Sequence, residues 1–271
     1  MSSFFDLSKK RRSVRTFNGE YPDEKVLNDL KECAASVTNP YNIPIRFVFL
    51  DAKDNDLSSP VLSGEKMYVT AVAKPGEHME EAYGYSFEAL LMHAYELGLG
   101  GVWIGGTMPR EKFEKASSLG ADEVMPCMSP VGVASDKMGM KEALMRKGVK
   151  ADSRFDFEKL FFLNDFDTPL TEKKAEELGV LDALLNLRLS PSAVNKQPWR
   201  VVVCGNEAHI FERHDNGYIT EHYDLQKIDI GIAMYHFERE LKESGKEPVL
   251  EVKDPGIKCP DRTDYVATFR W

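Results

Sequence analysis

The chain carries one helix–loop–strand pattern twice, and this repeat limits the possible folds more than any other feature. Residues 26–49, VLNDLKECAASVTNPYNIPIRFVF, align without a gap on residues 180–203, VLDALLNLRLSPSAVNKQPWRVVV. Seven of the 24 positions are identical, and they fall on a predicted helix face, a loop proline and a strand. A weaker correspondence sets Gly84 and Gly98 against Gly231 and Gly245. The pattern predicts an internal duplication, and two long copies favour a pseudo-symmetric pair over a solenoid. The alternative is that any two helix–loop–strand units look alike.

Local patterns predict the elements of each copy. Apolar residues at helical spacing predict a helix over 24–35, with Asp23 as its N-cap, and RFVFL predicts a strand over 46–50. Further helices are predicted over 79–97 and 227–244. The apolar VWI that follows the first of these predicts a buried strand.

Composition excludes several classes of protein. The net charge of -9 argues against a nucleic-acid partner, which would require a cationic face. The four cysteines form no CxxC pair, which indicates free thiols in a reducing compartment. Neither a secretory signal nor a run long enough to span a membrane is expected, so we predict a cytoplasmic protein without a membrane partner. The histidine spacing predicts no metal site.

The segment RRSVRTF, residues 11–17, is the first candidate binding motif. Its guanidinium groups suit phosphate because their planar donor forks match the oxygen atoms of the anion. A solvated basic patch, a localisation signal and a basophilic kinase site reading KKRRS are the alternatives.

Two further motifs combine polar donors with glycine. SPSAVNKQPWR, residues 190–200, offers hydroxyls and amides that can donate and accept at the edge of a heterocycle. A loop that satisfies its own backbone is the alternative, and Trp199 can equally be a core residue. GLGGVWIGG, residues 98–106, would let backbone N–H groups approach a ligand, although glycine-rich turns are common.

Together, these three motifs resemble the flavin-dependent nitroreductase family, and the resemblance extends across most of the chain. It is strongest to the subgroup in which two repeats are fused. It implies an α+β, nitroreductase-like fold with antiparallel-type sheets flanked by helices, arranged as an intramolecular pseudo-dimer. The two repeats would be residues 1–160 and a shorter 161–271. Because such a pseudo-dimer already buries its interface, we expect a monomer.

The resemblance also implies the cofactor contacts. FMN would lie between the repeats, one per chain. Arg11 and Ser13 would hold its phosphate and ribityl end, and Arg15 would lie near its pyrimidine edge. Gly105 and Gly106 would present N–H groups to the O4/N5 side. The full set of implied FMN contacts is Arg11, Arg12, Ser13, Arg15, Gly105, Gly106, Arg154, Pro191, Ser192 and Asn195.

The two copies differ at these positions. Pro191, Ser192 and Asn195 correspond to Val37, Thr38 and Tyr41 in the first copy. The second copy has no arginine segment, and it has KEPVLEV where a glycine-rich strand would follow Gly245. We therefore expect one intact flavin site and one degenerate site.

The implied activity is an FMN-dependent NAD(P)H oxidoreductase. It would reduce small nitroaromatic or quinone-type acceptors by a ping-pong mechanism, with the flavin and no particular side chain performing the chemistry. A binding or interaction module that has lost flavin is the alternative. A third possibility keeps the flavin but changes the reaction, for instance to dehalogenation.

Overall fold

We describe residues 3–271 of the protein from a computed structural model. The helices are α1 (Phe4–Lys10), α2 (Glu24–Ser36), α3 (Met79–Glu96), α4 (Arg110–Ala116), α5 (Met140–Gly148), α6 (Phe157–Leu160), α7 (Glu172–Glu177), α8 (Leu181–Leu189) and α9 (Leu225–Glu243). The strands are β1 (Arg46–Asp51), β2 (Met67–Val72), β3 (Gly100–Gly101), β4 (Met128–Gly132), β5 (Phe161–Leu163), β6 (Trp199–Cys204), β7 (Glu207–Arg213), β8 (Val249–Glu251) and β9 (Thr263–Arg270). A short 3₁₀ turn covers Ala193–Asn195.

The chain divides into two compact units. The first is Arg11–Ala151, and the second joins the N-terminal segment through Lys10 to Asp152–Trp271. This division differs from the predicted repeats 1–160 and 161–271, since α1 belongs to the second unit. A compact unit is defined by contacts and a repeat by sequence correspondence, so the repeat boundaries stay a prediction.

The two units contain sheets with the same strand order. In the first unit the order is β1-β2-β4-β3, with every neighbouring pair antiparallel. In the second unit β6-β7-β9-β8 repeats that order, again antiparallel, and β5 adds a parallel strand beside β6. A helix precedes the first strand of each set, and a long helix follows the second. This shared topology confirms the α+β, two-repeat fold expected from the duplicated sequence.

The local predictions agree closely with the observed helices. Asp23 caps α2 by accepting the Lys25 N–H at 2.8 Å. The long helices α3 and α9 are each followed by a glycine with positive φ, Gly98 at 84° and Gly245 at 80°. Glycine adopts that conformation without a steric penalty, so both copies end their long helix in the same way.

The predicted VWI strand is wrong. The strand there is Gly100–Gly101, and Ile104 forms only an isolated bridge with Met128. The intervening Val102 N–H donates to the Ser129 hydroxyl at 3.1 Å, so a side chain of β4, and not its backbone, satisfies this group.

The core of the first unit lies around Tyr68, Phe113 and Met128, all fully buried. In the second unit, α8 and α9 supply the buried residues Leu184, Ile230 and Phe237. Within residues 3–271, no helix is long and apolar enough to cross a membrane.

Candidate functional site

The arginine segment of the first unit is placed by the two glycines of β3. The Val14 N–H donates to the Gly101 carbonyl at 3.0 Å, and Ser13 forms a parallel bridge with Gly101. A Cβ at Gly100 would lie 2.7 Å from Cγ2 of Val14, closer than real Cβ contacts. These glycines therefore let the chain around Val14 lie against the strand.

A buried carboxylate on α5 fixes the same segment. Glu142 is 1% exposed, forms an ion pair with Arg12 and accepts the Arg15 backbone N–H at 2.9 Å. Arg12 thus has a protein partner for its charge, and its predicted contact with a cofactor stays a prediction.

Arg11 and Arg15 differ from Arg12 in their hydrogen bonding. The Nε atom of each is buried and has no hydrogen-bond partner among residues 3–271. Burial lowers the pKa of both guanidinium groups, opposed by Glu88 near Arg11 and by Glu142 near Arg15. A buried donor without an acceptor costs about 1–3 kcal/mol, and an anionic ligand would remove that cost. This part of the first unit therefore has the donors and the charge to bind an anion.

Gly105 and Gly106 lie after the bridge that Ile104 makes with Met128. The Gly105 carbonyl accepts from Arg110 at 2.8 Å, which fixes the turn. A Cβ at Gly106 would meet nothing within 4 Å. The space beside Gly106 is open, and the use of these two N–H groups by a ligand stays a prediction.

The 190–197 loop of the second unit is strained. Val194, Asn195 and Gln197 have positive φ values of 50°, 58° and 52°. Asparagine tolerates that region, but a β-branched valine there is an outlier. Such strain persists only where the surroundings impose it, and it often marks a functional loop.

Hydrogen bonds within the second unit impose this conformation. The Ala193 N–H donates to both carboxylate oxygens of Asp229, each at 3.0 Å. The Ser192 hydroxyl accepts the Gln197 N–H at 2.9 Å. Burial raises the pKa of Asp229, which is 4% exposed on α9, well above its usual range. Ser192 therefore closes the loop on itself, as the alternative interpretation of this motif expected.

Two predicted site residues of the second unit are in contact. Arg154 donates to the Asn195 side-chain oxygen at 3.3 Å and to the Leu189 carbonyl at 2.9 Å. Asn195 in turn donates to the Ser153 carbonyl at 3.0 Å. The structure thus brings Arg154 and Asn195 together, although Arg154 is engaged with the loop. Pro191 is half-buried in the same loop.

The equivalent loop of the first copy is closed by a different residue. Asn39, which is buried, accepts from the Tyr41 and Ile43 N–H groups at 3.1 and 3.2 Å. Tyr41 stacks on His78 with ring centroids 4.8 Å apart. Local packing accounts for these residues without a ligand.

Sequence reasoning missed the two carboxylates that organise these segments, Glu142 and Asp229. Asp229 interrupts an apolar helix pattern between two isoleucines, a signal that could have found it. Glu142 lies in an ordinary amphipathic stretch, and no local pattern distinguishes it.

One group of side chains in the second unit has the residue types of a metal site. Ligand atoms of Glu212, His214 and Asp224 lie within 4.8 Å of one another. Asp224 caps α9 by accepting the Gln226 N–H at 2.8 Å, and His214 contacts Asp264 at 2.7 Å. The positive end of the helix dipole disfavours a cation there, so we assign no metal.

Comparisons with known proteins bear on the whole chain. The model of the family described as "Putative TM nitroreductase" matches residues 4–240. A crystal structure of a Thermotoga maritima MSB8 protein described in similar terms covers 99% of this chain and 94% of its own, with 18% identity and a TM-score of 0.63. At that identity the likeness shows the shared fold.

Other solved structures match about half of the chain. One is an FMN-dependent nitroreductase of Clostridium difficile R20291, with 17% identity and a TM-score of 0.42 over 52% of this chain and 94% of that one. Another is a Desulfitobacterium hafniense nitroreductase with bound FMN, with 16% identity and a TM-score of 0.43 over 51% and 93%. No curated protein matches significantly.

Proposed function

Because this chain belongs to the family described as that of the TM nitroreductases, we propose that it is an FMN-dependent oxidoreductase. The observation that carries the proposal is the pair of buried guanidinium Nε atoms, at Arg11 and Arg15, that lack an acceptor among residues 3–271. Phosphate and the electron-rich edge of a flavin both supply acceptors of the required kind.

The proposal assigns a separate task to each residue. Arg11 and Ser13 bind the phosphate and ribityl end, and Arg15 faces the pyrimidine edge. Pro191, Ser192 and Asn195 cover the flavin, Arg154 supports the phosphate, and Gly105 and Gly106 contribute backbone N–H groups. Arg12 remains among the proposed FMN contacts, with its charge largely compensated by the ion pair with Glu142.

When bound, FMN would supply two-electron transfer from NADH or NADPH to a nitroaromatic or quinone-type acceptor. The contribution of the chain is positional and electrostatic. A cation at Arg15 stabilises negative charge at the pyrimidine edge, and so favours the reduced form of the cofactor. A flat apolar surface makes few hydrogen-bond demands, so we propose broad acceptor specificity.

Absorbance spectra of the purified protein, with and without added FMN, provide the test. A yellow protein with a flavin spectrum is expected, and Arg11→Ala or Asn195→Ala should weaken FMN binding at least about tenfold. Thr38→Ala and Tyr41→Phe are matched controls, since Thr38 and Tyr41 occupy the positions of the first copy that correspond to Ser192 and Asn195. They should leave FMN affinity unchanged. A colourless preparation that also fails to bind added FMN would reject the proposal and favour the binding-module alternative.

Steady-state assays address the finer parts of the proposal. NADH and NADPH are compared as donors against nitro, quinone and halogenated phenol acceptors, which separates nitro or quinone reduction from dehalogenation. We further propose a cytoplasmic monomer. A stable dimer in sedimentation velocity experiments would contradict the oligomeric part.

A further inference from the structure

We propose that Glu142 is a positioning residue for the anion site, one that holds Arg15 in place and occupies Arg12, so that Arg11 and Arg15 are the guanidinium groups presented to the ligand. The inference rests on the proposed function, because it concerns the same cofactor. Its subject is a residue that no motif of the sequence identifies.

The geometry supporting this role is a double contact from one buried carboxylate. One oxygen of Glu142 receives the Arg12 guanidinium, and the other accepts the Arg15 backbone N–H at 2.9 Å. Through these two contacts, a helix about 130 residues further along the chain holds both the Arg12 side chain and the Arg15 backbone. Each contact uses a different oxygen of the carboxylate, so the loss of either oxygen as an acceptor removes one of the two contacts.

Arg12 differs from Arg11 and Arg15 because a carboxylate compensates its charge. Glu142 lies against Arg12 and largely compensates its charge, because an ion pair with one partner fully buried is screened less by solvent than an exposed one. Arg11 and Arg15 keep a buried Nε with no acceptor among the described residues. Of the three arginines in the segment, Arg11 and Arg15 are thus the two whose buried donor lacks an acceptor within residues 3–271.

The expected effect of removing this carboxylate has the opposite sign to simple electrostatics. If Glu142 acted only through its charge, replacing it with glutamine would strengthen the attraction for the dianionic phosphate of FMN. If Glu142 positions the segment, the same replacement frees the Arg12 side chain and loosens the Arg15 backbone. Arg11 and Arg15 then lose their fixed placement, and FMN binding weakens. The direction of the change therefore distinguishes the two explanations.

The experiment measures the dissociation constant of FMN by fluorescence quenching, for the full chain and for Glu142→Gln and Glu142→Ala. We expect both variants to bind FMN about tenfold more weakly or worse. Glu142→Gln is nearly isosteric, so it decides the question if the alanine variant fails to fold. Unchanged or tighter binding by a folded Glu142→Gln overturns the inference.

Glu123 supplies a matched control in the same unit. It also combines an arginine and a backbone N–H, accepting from Arg46 at 2.7 Å and from the Gly120 N–H at 2.9 Å. Glu123→Gln should leave FMN affinity at the parent value. If it weakens binding as much as Glu142→Gln does, the effect is a general loss of stability and the inference fails.

A second measurement separates positioning from mere structural support. If Glu142 holds Arg15 at the pyrimidine edge, the variants should lose more affinity for reduced than for oxidised FMN. A tenfold difference between those losses lowers the two-electron midpoint potential by about 30 mV. An unchanged potential in the flavin-loaded variants would contradict this role. If the parent protein itself binds no FMN, the proposed function fails instead, and the two failures are thereby distinguished.

Discussion

Replacing Gly100 with alanine tests how the arginine segment is held. The new Cβ would lie 2.7 Å from Cγ2 of Val14, which is 0.7 Å short of the 3.4 Å at which ordinary contacts begin. Val14 is 3% exposed and β-branched, so its side chain can neither swing into solvent nor change rotamer freely. The segment must move away from β3, and its hydrogen bond from Val14 to Gly101 must lengthen.

Overpacking of this kind costs about 1–3 kcal/mol of unfolding free energy. For a protein of this size, each kcal/mol lowers the melting temperature by about 2–4 °C. Urea unfolding followed by circular dichroism measures the change. FMN affinity should fall as well, because the displaced segment contains Arg11 and Arg15.

A double variant tests whether contact with Val14 causes that loss of stability. Val14→Ala removes the two methyl groups, at 2.7 and 3.1 Å from the new Cβ, and leaves the Val14 Cβ at 2.9 Å. Part of the clash is thereby relieved, so Gly100→Ala should cost about 1 kcal/mol less in that background than alone. Gly148→Ala is the control, since a Cβ there meets nothing within 4 Å. The reasoning is refuted if Gly100→Ala is as stable as the parent, or if the effects of the two single variants simply add.

Three further variants test the second unit. Burial raises the pKa of Asp229, so its contribution to stability should fall as pH rises above the ordinary aspartate value of about 4. In urea titrations across pH, the parent should therefore lose stability relative to Asp229→Asn over that range. Val194 is 61% exposed with a φ of 50°, so Val194→Gly should relieve strain and stabilise the protein by up to about 1 kcal/mol, and a loss of stability in thermal melts would contradict it. Asn186 is fully buried and joins Glu240 at 2.8 Å to His236 at 2.9 Å, so Asn186→Ala should cost about 2–4 kcal/mol. Asn206→Ala should cost no more than about 1 kcal/mol, because its bond to the Trp271 carbonyl at 2.8 Å is exposed and water can replace it.

Much of the fold follows from local pattern. Apolar residues at helical spacing predicted α2, because an amphipathic helix places its apolar residues on one face. The ranges predicted for α3 and α9 also agree with the structure to within a few residues, although both helices are buried on most sides. The internal match predicted that the helix–loop–strand unit occurs twice. The pattern did not predict that VWI would fall outside the strand, because a short apolar run is equally compatible with buried irregular chain.

The candidate site, like the fold, was predicted only in part from the sequence. Arginine, glycine and asparagine at particular spacings identified the segments that can contact a ligand, since those residue types have distinctive donors and backbone freedom. The sequence did not determine which arginines would retain unused donors. That depends on Glu142, which is 127 positions from Arg15 and carries no local signal.

The sequence by itself therefore determined the two copies, their helices and the residue types available for binding. The tertiary structure decided the strand order common to both sheets, the strained loop held by Asp229 and the pairing of Arg12 with Glu142. The physical reason is that periodicity and residue type report on the immediate neighbourhood of a residue. Strand neighbours and buried charge pairs form between distant segments, and the packing of the whole unit selects them.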